Sequence, residues 1–159
     1  MMDNFRIEQA SLEDVAALAV MVGELLDEIM SATGTPAFNF DLEETTARLQ
    51  GFLEQGRYFV LMARHGAGRE SGFIALYESC ALYAEGVYGM IPELYVRPAY
   101  RSQGVGRKLL EGAKAHGAQR GWTRLEVTTP PLPQFDRTLA FYEREGFAIS
   151  GGRKLRLLL

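Results

Sequence analysis

Ile91-Pro92-Glu93-Leu94-Tyr95-Val96-Arg97-Pro98-Ala99-Tyr100-Arg101-Ser102-Gln103-Gly104-Val105-Gly106-Arg107-Lys108 is the stretch on which the reading of this chain turns. It opens as an apolar strand and passes into a glycine-containing turn. It then continues through Leu109, Leu110 and Ala113 with the spacing of an amphipathic helix. A bare Gly-x-Gly carries no information, but its place between a strand and a helix does. Glycines there let the backbone approach a ligand closely and leave N–H groups at a helix N-terminus pointing outward, which favours phosphate or pyrophosphate. The local charge agrees. Arg97, Arg101, Arg107 and Lys108 fall in this stretch with no acidic residue after Glu93, in a chain whose net charge is −3.

Upstream, Phe5 to Glu8 alternates like a short strand. Ser11-Leu12-Glu13-Asp14 has the form of a capping box ahead of a helix through Leu18, Val22, Leu25, Leu26 and Ile29. Thr33 to Pro36 breaks that helix, and Asp41 starts a second one that stops near Gly56. Tyr58 to Ala63 is a continuous apolar run, the pattern of a buried strand. Gly72 to Tyr83 and Val87 to Val96 extend it into a meander, in which Pro92 removes a ladder donor and implies a bulge or an edge.

Downstream, Thr123 to Thr129 is the next strand, Pro130 to Pro133 a stiff loop, and Asp136 to Glu145 a short helix. Gly146 to Ile149 and Lys154 to Leu159, around Gly151-Gly152, close the chain as a hairpin. The expected order is β-α-α-β-β-β-α-β-α-β-β. That is an α/β (α+β) fold with a mixed sheet of about seven strands and about four helices, not a regular βαβ alternation.

At 159 residues the expectation is a single domain, residues 1–159. Apolar residues at 47% and charged residues at 23% are ordinary for a soluble globular protein. A pI near 5.5 argues against a nucleic-acid coat. No stretch has the ~18 apolar residues of a membrane span, and no basic-then-apolar leader opens the chain. A cytoplasmic protein with neither membrane nor nucleic-acid partner is expected. One cysteine, Cys80, precludes an internal disulfide, and His65 and His116 share no zinc spacing with it, so no metal is expected.

Two phosphate-binding alternatives fail on specifics. A Walker loop needs Gly-Lys-Ser/Thr after its spacer, and a dinucleotide fingerprint needs a third small residue where Leu109 stands.

The stretch from Leu94 to Gly106 resembles the core motif of the GNAT superfamily of acyl-CoA N-acyltransferases. That motif is a strand followed by a basic residue or glutamine, two variable positions, and Gly-x-Gly or Gly-x-Ala. Leu139-Ala140-Phe141-Tyr142-Glu143-Arg144-Glu145-Gly146-Phe147 is similar to the family's second signature, a helix ending in aromatic-Tyr-x-x-x-Gly-Phe. The resemblance implies a mostly antiparallel GNAT-like sheet and a single N-acetyltransferase domain using acetyl-CoA as cosubstrate. It further implies that the Arg101-Ser102-Gln103-Gly104-Val105-Gly106 turn binds the cofactor, with backbone amides of Gln103 to Arg107 around the pyrophosphate. The backbone of Leu94, Tyr95 and Val96 would pair with the pantetheine arm, and the Val96 N–H would face the thioester carbonyl. Many members carry an asparagine seven residues before the tyrosine; here Phe135 stands there.

Amine acetylation needs two proton transfers. Tyr142, matching the family's tyrosine, is the candidate acid for the departing thiolate; the plainer reading is a packed core aromatic. Glu93, the only carboxylate from Met90 to Val96, is the candidate base, acting through a water. A solvent-facing strand glutamate reads the same way. Glu78, Tyr88 and Tyr95 are weaker candidates for lining the substrate side. The expected acceptor is a small-molecule or peptide amine, with specificity in the 31–40, 77–89 and 130–135 segments. A non-catalytic CoA-sensing module on the same fold is the alternative. Leu155, Leu157, Leu158 and Leu159 make an apolar end that is either a buried last strand or a homodimer edge; the two read alike.

Overall fold

Five strands form one sheet in the order β1-β2-β3-β4-β5: Phe5–Gln9, Phe59–His65, Arg69–Ala81, Gly86–Val96 and Leu125–Val127. The first three pairings are antiparallel and β4·β5 is parallel. Four α-helices accompany it: α1 (Val15–Thr33), α2 (Leu42–Glu54), α3 (Val105–Arg120) and α4 (Asp136–Arg144). The structure, a computed structural model, describes residues 4–159; Met1 to Asp3, part of the stretch read as lacking a leader, lie outside the described residues.

The helix starts follow from their caps. Ser11 and Asp14 form the reciprocal capping box, which opens a 3-10 turn, Leu12–Asp14, that runs directly into α1. The Asp41 side chain accepts from the Glu44 N–H at the start of α2. Alternation along the strands divides the apolar residues between two faces. Phe73, Ala75 and Tyr95 pack with Leu18, Met21 and Leu49 of the first two helices. Leu109, Leu110 and Ala113 of α3 are fully buried, as are Ile74 and Leu76 of β3, which α3 covers.

The chain divides into two compact units, one ending at Thr128 and the other running Thr129–Leu159. The whole five-stranded sheet lies in the first unit. In the second, α4 is followed by a chain reversal at Glu145–Phe147, where the Phe147 N–H returns to the Tyr142 carbonyl. Tyr142 is flanked there by Phe141 and Phe147 at ring distances of 5.3 and 5.2 Å.

The expected sheet of about seven strands is therefore corrected to five. The two missing strands are those read at 146–149 and 154–159; neither forms a ladder. Ile149, Leu155, Leu157, Leu158 and Leu159 are all strongly exposed. A lone two-stranded hairpin is marginal without a third strand or a packed helix face, and Gly151-Gly152 adds backbone entropy at its turn. Apolar alternation records a capacity for pairing, not the presence of a partner. The helix count of four stands.

Candidate functional site

Pro92 distorts the strand where the sequence requires it. Ala75 faces Glu93 and Tyr77 faces Met90, so β4 spends one residue more than β3 between these pairs. Pro92 thus sits at a bulge on an interior strand. The ladder between β4 and β5 runs from Gly89↔Leu125 to Ile91↔Val127 and ends there. From Pro92 to Val96, β4 is paired with β3 but no longer with β5. This half-open stretch carries Leu94, Tyr95 and Val96.

The turn beyond it is built to present N–H groups. Ser102 has φ 62°, left-handed for a residue with a Cβ, and Gly104 has φ 84° at the helix N-cap. No side chain caps α3. The first intrahelical bond of this turn is Lys108 N–H to the Gly104 carbonyl, so the N–H groups of Val105, Gly106 and Arg107 precede it. Open space surrounds the position a Cβ would take on Gly104, and Arg101 to Gly104 are exposed. The Gln103 amide donates to the Ala99 carbonyl, tying down the turn. A helix N-terminus with a left-handed glycine at its mouth and exposed arginine nearby fits a pyrophosphate.

The Arg101 side chain is already occupied. Its Nε donates to the Val96 carbonyl at 2.8 Å, and its two terminal nitrogens form a bidentate pair with Glu28 of α1 at 3.0 and 2.6 Å. Arg97 is held one turn earlier on the same helix, by Glu24, which also accepts from the Tyr95 hydroxyl. Two of the four basic residues in the stretch therefore brace it against α1. Tyr95, read as a weak substrate-lining candidate, is buried and committed to that brace.

Glu93 lies on the same strand, two residues from Tyr95, and is partly buried. Burial pushes its carboxyl up to about 7, opposed by a hydrogen bond from the Tyr58 hydroxyl at 3.2 Å. This is a carboxylate that changes charge near neutral pH, the range in which a general base works. Tyr142 is buried in the second unit, and burial pushes its phenol well above the usual range, keeping it protonated. Glu78 accepts from the Trp122 ring N–H at 2.7 Å and from Arg120 at 3.2 Å, contacts that hold it below the ordinary range. The Tyr88 hydroxyl is paired with that of Tyr83 at 3.4 Å. Cys80 is exposed and free.

Residues 54–149 match the acetyltransferase (GNAT) domain family. The chain belongs to this family. It is an acetyltransferase of GNAT type. Relatives extend the match. The uncharacterized N-acetyltransferase YhfO of Bacillus subtilis is 28% identical over 141 residues, covering 89% of this chain and 88% of its own. An uncharacterized N-acetyltransferase of Mycobacterium tuberculosis is 30% identical over 117 residues, covering 74% of this chain and 70% of its own. Solved structures share the fold. An aminoglycoside acetyltransferase from a soil metagenomic sample, in complex with trehalose, superposes with a TM-score of 0.77 at 20% identity, over 98% of this chain and 97% of that one. A predicted acetyltransferase from Clostridium acetobutylicum with acetyl-CoA gives a TM-score of 0.77 at 16% identity, over 97% and 96%.

Tyr58, Glu24 and Glu28 are the participants that sequence reading passed over. Tyr58 has a signal in hindsight: a tyrosine opening an apolar strand must find a partner for its hydroxyl. The two glutamates have none, because nothing in a helical sequence says which strand its polar face will meet. Among the described residues no cluster of metal-ligating side chains occurs, and no helix is long and apolar enough to cross a membrane.

Proposed function

We propose that this GNAT enzyme transfers the acetyl group of acetyl-CoA to a primary amine by direct attack within a ternary complex. The observation that carries this reading is the half-open β4 edge running straight into the exposed, left-handed turn at Ser102 and Gly104. In it, the backbone N–H groups from Gln103 to Arg107 receive the pyrophosphate, and Leu94, Tyr95 and Val96 offer main-chain groups to the pantetheine arm. The similarity to a protein crystallised with acetyl-CoA supports the choice of cosubstrate.

Bound acetyl-CoA supplies an activated thioester carbonyl. Glu93, through a water, takes the proton that the substrate ammonium must lose before its nitrogen forms the new C–N bond. Tyr142, kept protonated by burial, gives a proton to the sulfur as the C–S bond breaks. The Val96 N–H is the donor to the carbonyl oxygen. The acceptor is a small-molecule or peptide amine; the aminoglycoside acetyltransferase among the structural neighbours acts as an example of the class, not of the substrate.

Thermal unfolding with acetyl-CoA, and with ATP and NAD as controls, tests the cosubstrate. A ligand at a hundred times its Kd adds about 2.7 kcal/mol, roughly 5–10 °C here. A shift with acetyl-CoA alone is expected and opens an amine screen. No shift at millimolar acetyl-CoA removes the reading of the turn.

A further inference from the structure

Tyr58 stands just ahead of β2, and its backbone is fixed by the end of α2. The N–H groups of Arg57 and Tyr58 both donate to the Phe52 carbonyl, at 2.8 and 3.3 Å. Its ring is held between two aromatics. Phe52 lies at a ring distance of 5.0 Å and Tyr77 of β3 at 6.3 Å, the latter nearly parallel at 8°. A ring so placed has little freedom to swing, and its hydroxyl meets both Glu93 oxygens, at 3.2 and 3.5 Å. Residues 58 and 93 are far apart in sequence, so this contact is a product of the tertiary fold.

We propose that Tyr58 is the positioning residue of the reaction: its hydroxyl donates to the Glu93 carboxylate and aims it at the proton it takes. The proposal rests on the reading of Glu93 as the base. Tyr58 acts through Glu93.

The physical argument has two opposing parts. Burial disfavours the carboxylate, and the Tyr58 hydrogen bond favours it. Without the donor, the same dry surroundings would leave Glu93 protonated further into the working range, and a protonated acid cannot act as the base. The reciprocal effect falls on Tyr58, whose phenol is driven well above its ordinary range by burial first and by Glu93 second. It therefore stays a donor at every pH at which the enzyme works. The other ionisable groups packed nearby are already engaged or are phenols. Tyr77 lies beyond the Tyr58 ring, Tyr95 on β4 is turned to Glu24 of α1, and Arg57 at the end of α2 donates to Gln55. Burial and the Tyr58 hydroxyl are the two influences on Glu93's titration.

A cavity of about 670 Å³ reaches Tyr58, and its lining also includes Tyr77, Glu78, Glu54, Arg57 and His116. Tyr58 thus lines the cavity with its ring and gives its hydroxyl to the carboxylate.

The test is a titration. Protein labelled with 13C at the glutamate side-chain carboxyl is followed by NMR, with the Glu93 resonance identified by its loss in Glu93→Gln. The wild-type midpoint is expected near 7. In Tyr58→Phe it should rise by about one pH unit, as loss of a hydrogen bond to a charged group requires. Uniform 3-fluorotyrosine labelling, which makes the phenol a stronger donor and keeps every ring in place, should move it the other way. It also serves if Tyr58→Phe folds poorly. The acidic limb of kcat/KM, measured with acetyl-CoA and an amine that the wild-type enzyme acetylates, should follow the midpoint in Tyr58→Phe while acetyl-CoA affinity holds; in the fluorinated protein, where Tyr142 changes too, the Glu93 midpoint alone is read. A Glu93 midpoint unmoved by both changes would overturn the proposal and make Tyr58 a packing residue. A midpoint that moves while the rate profile does not would overturn it differently, by removing Glu93 as the base.

Discussion

Two carboxylates meet β4 within two residues of each other, and the strand treats them in opposite ways. Glu24 reaches it from α1 and receives the Tyr95 hydroxyl at 3.1 Å together with two Arg97 nitrogens at 3.0 Å each. Glu93 projects from the strand itself and receives the Tyr58 hydroxyl at 3.2 Å, with no guanidinium paired to it among the described residues. The tyrosine donor is common to both; the cation is not. The carboxylate that takes two arginine nitrogens and a phenol serves as a brace. One answered by a phenol in dry surroundings is left able to change its charge near neutral pH.

Replacing the uncharged partnership should have the largest effect. Glu93→Gln is expected to lower kcat/KM by about 10²–10⁴ above about pH 7, where the carboxylate is ionised and the amine still carries its proton, and by progressively less below it. Glu24→Gln should leave the pH profile in place. Initial rates across the neutral range check both, and a flat result for Glu93→Gln would return it to the role of an ordinary strand glutamate.

The next effect is on stability and has a definite sign. Glu93 titrates near 7 when folded against 4.5 ordinarily, so the folded state holds its proton more tightly. The contribution is fully present below about pH 4.5 and is lost as pH rises through about 7. Over that window the protein should lose at most about 3 kcal/mol of stability from this group. Urea unfolding at pH 5 and pH 8 measures the loss, and Glu93→Gln should abolish that part of the slope. A wild-type slope of the opposite sign would mean that Glu93 is better solvated than its surroundings suggest.

Arg97→Ala probes the brace and should cost about 1–2 kcal/mol with no change in that slope. The pair is about a third exposed, at 27% and 35% for the two side chains, so the ion pair alone contributes little. The larger part comes from the Glu70 carbonyl, which loses the 3.0 Å bond from Arg97. Equilibrium unfolding is again the measurement.

Much of this contrast was legible one residue at a time, but not as pairs. The bulge at Pro92, the helix opening at Val105 and the left-handed position at Gly104 follow from local rules, because a missing N–H or a missing Cβ acts on its immediate neighbours. Glu93 was legible as the lone carboxylate of its strand, but its partner lies 35 residues away and depends on how α2 ends. Arg101 shows the limit from the other side. The sequence places it in the cofactor turn but cannot say that its side chain also meets Glu28 and the Val96 carbonyl. The tail failed for a related reason, since Leu155 to Leu159 carry a strand's alternation without a neighbouring strand to meet it.

The smallest expected effect lies one turn along α1, where Glu28 repeats Glu24's arrangement at the surface. The Glu28–Arg101 pair is bidentate, yet its side chains are 35% and 41% exposed, and pairs so exposed contribute about 0–1 kcal/mol. Glu28→Gln should therefore change stability by less than about 0.5 kcal/mol. What it changes is the charge that Arg101 presents to the turn beside it. With Glu28 neutral, the guanidinium is no longer cancelled, and the Kd for acetyl-CoA should fall by roughly two- to threefold at low salt, and by less at high salt, where surface charges are screened. Calorimetric titration at two salt concentrations separates this from a packing effect, which salt would not remove. An unchanged Kd at low salt would mean that Arg101, like Arg97, belongs wholly to the brace, and that the backbone of the turn holds the anion without it.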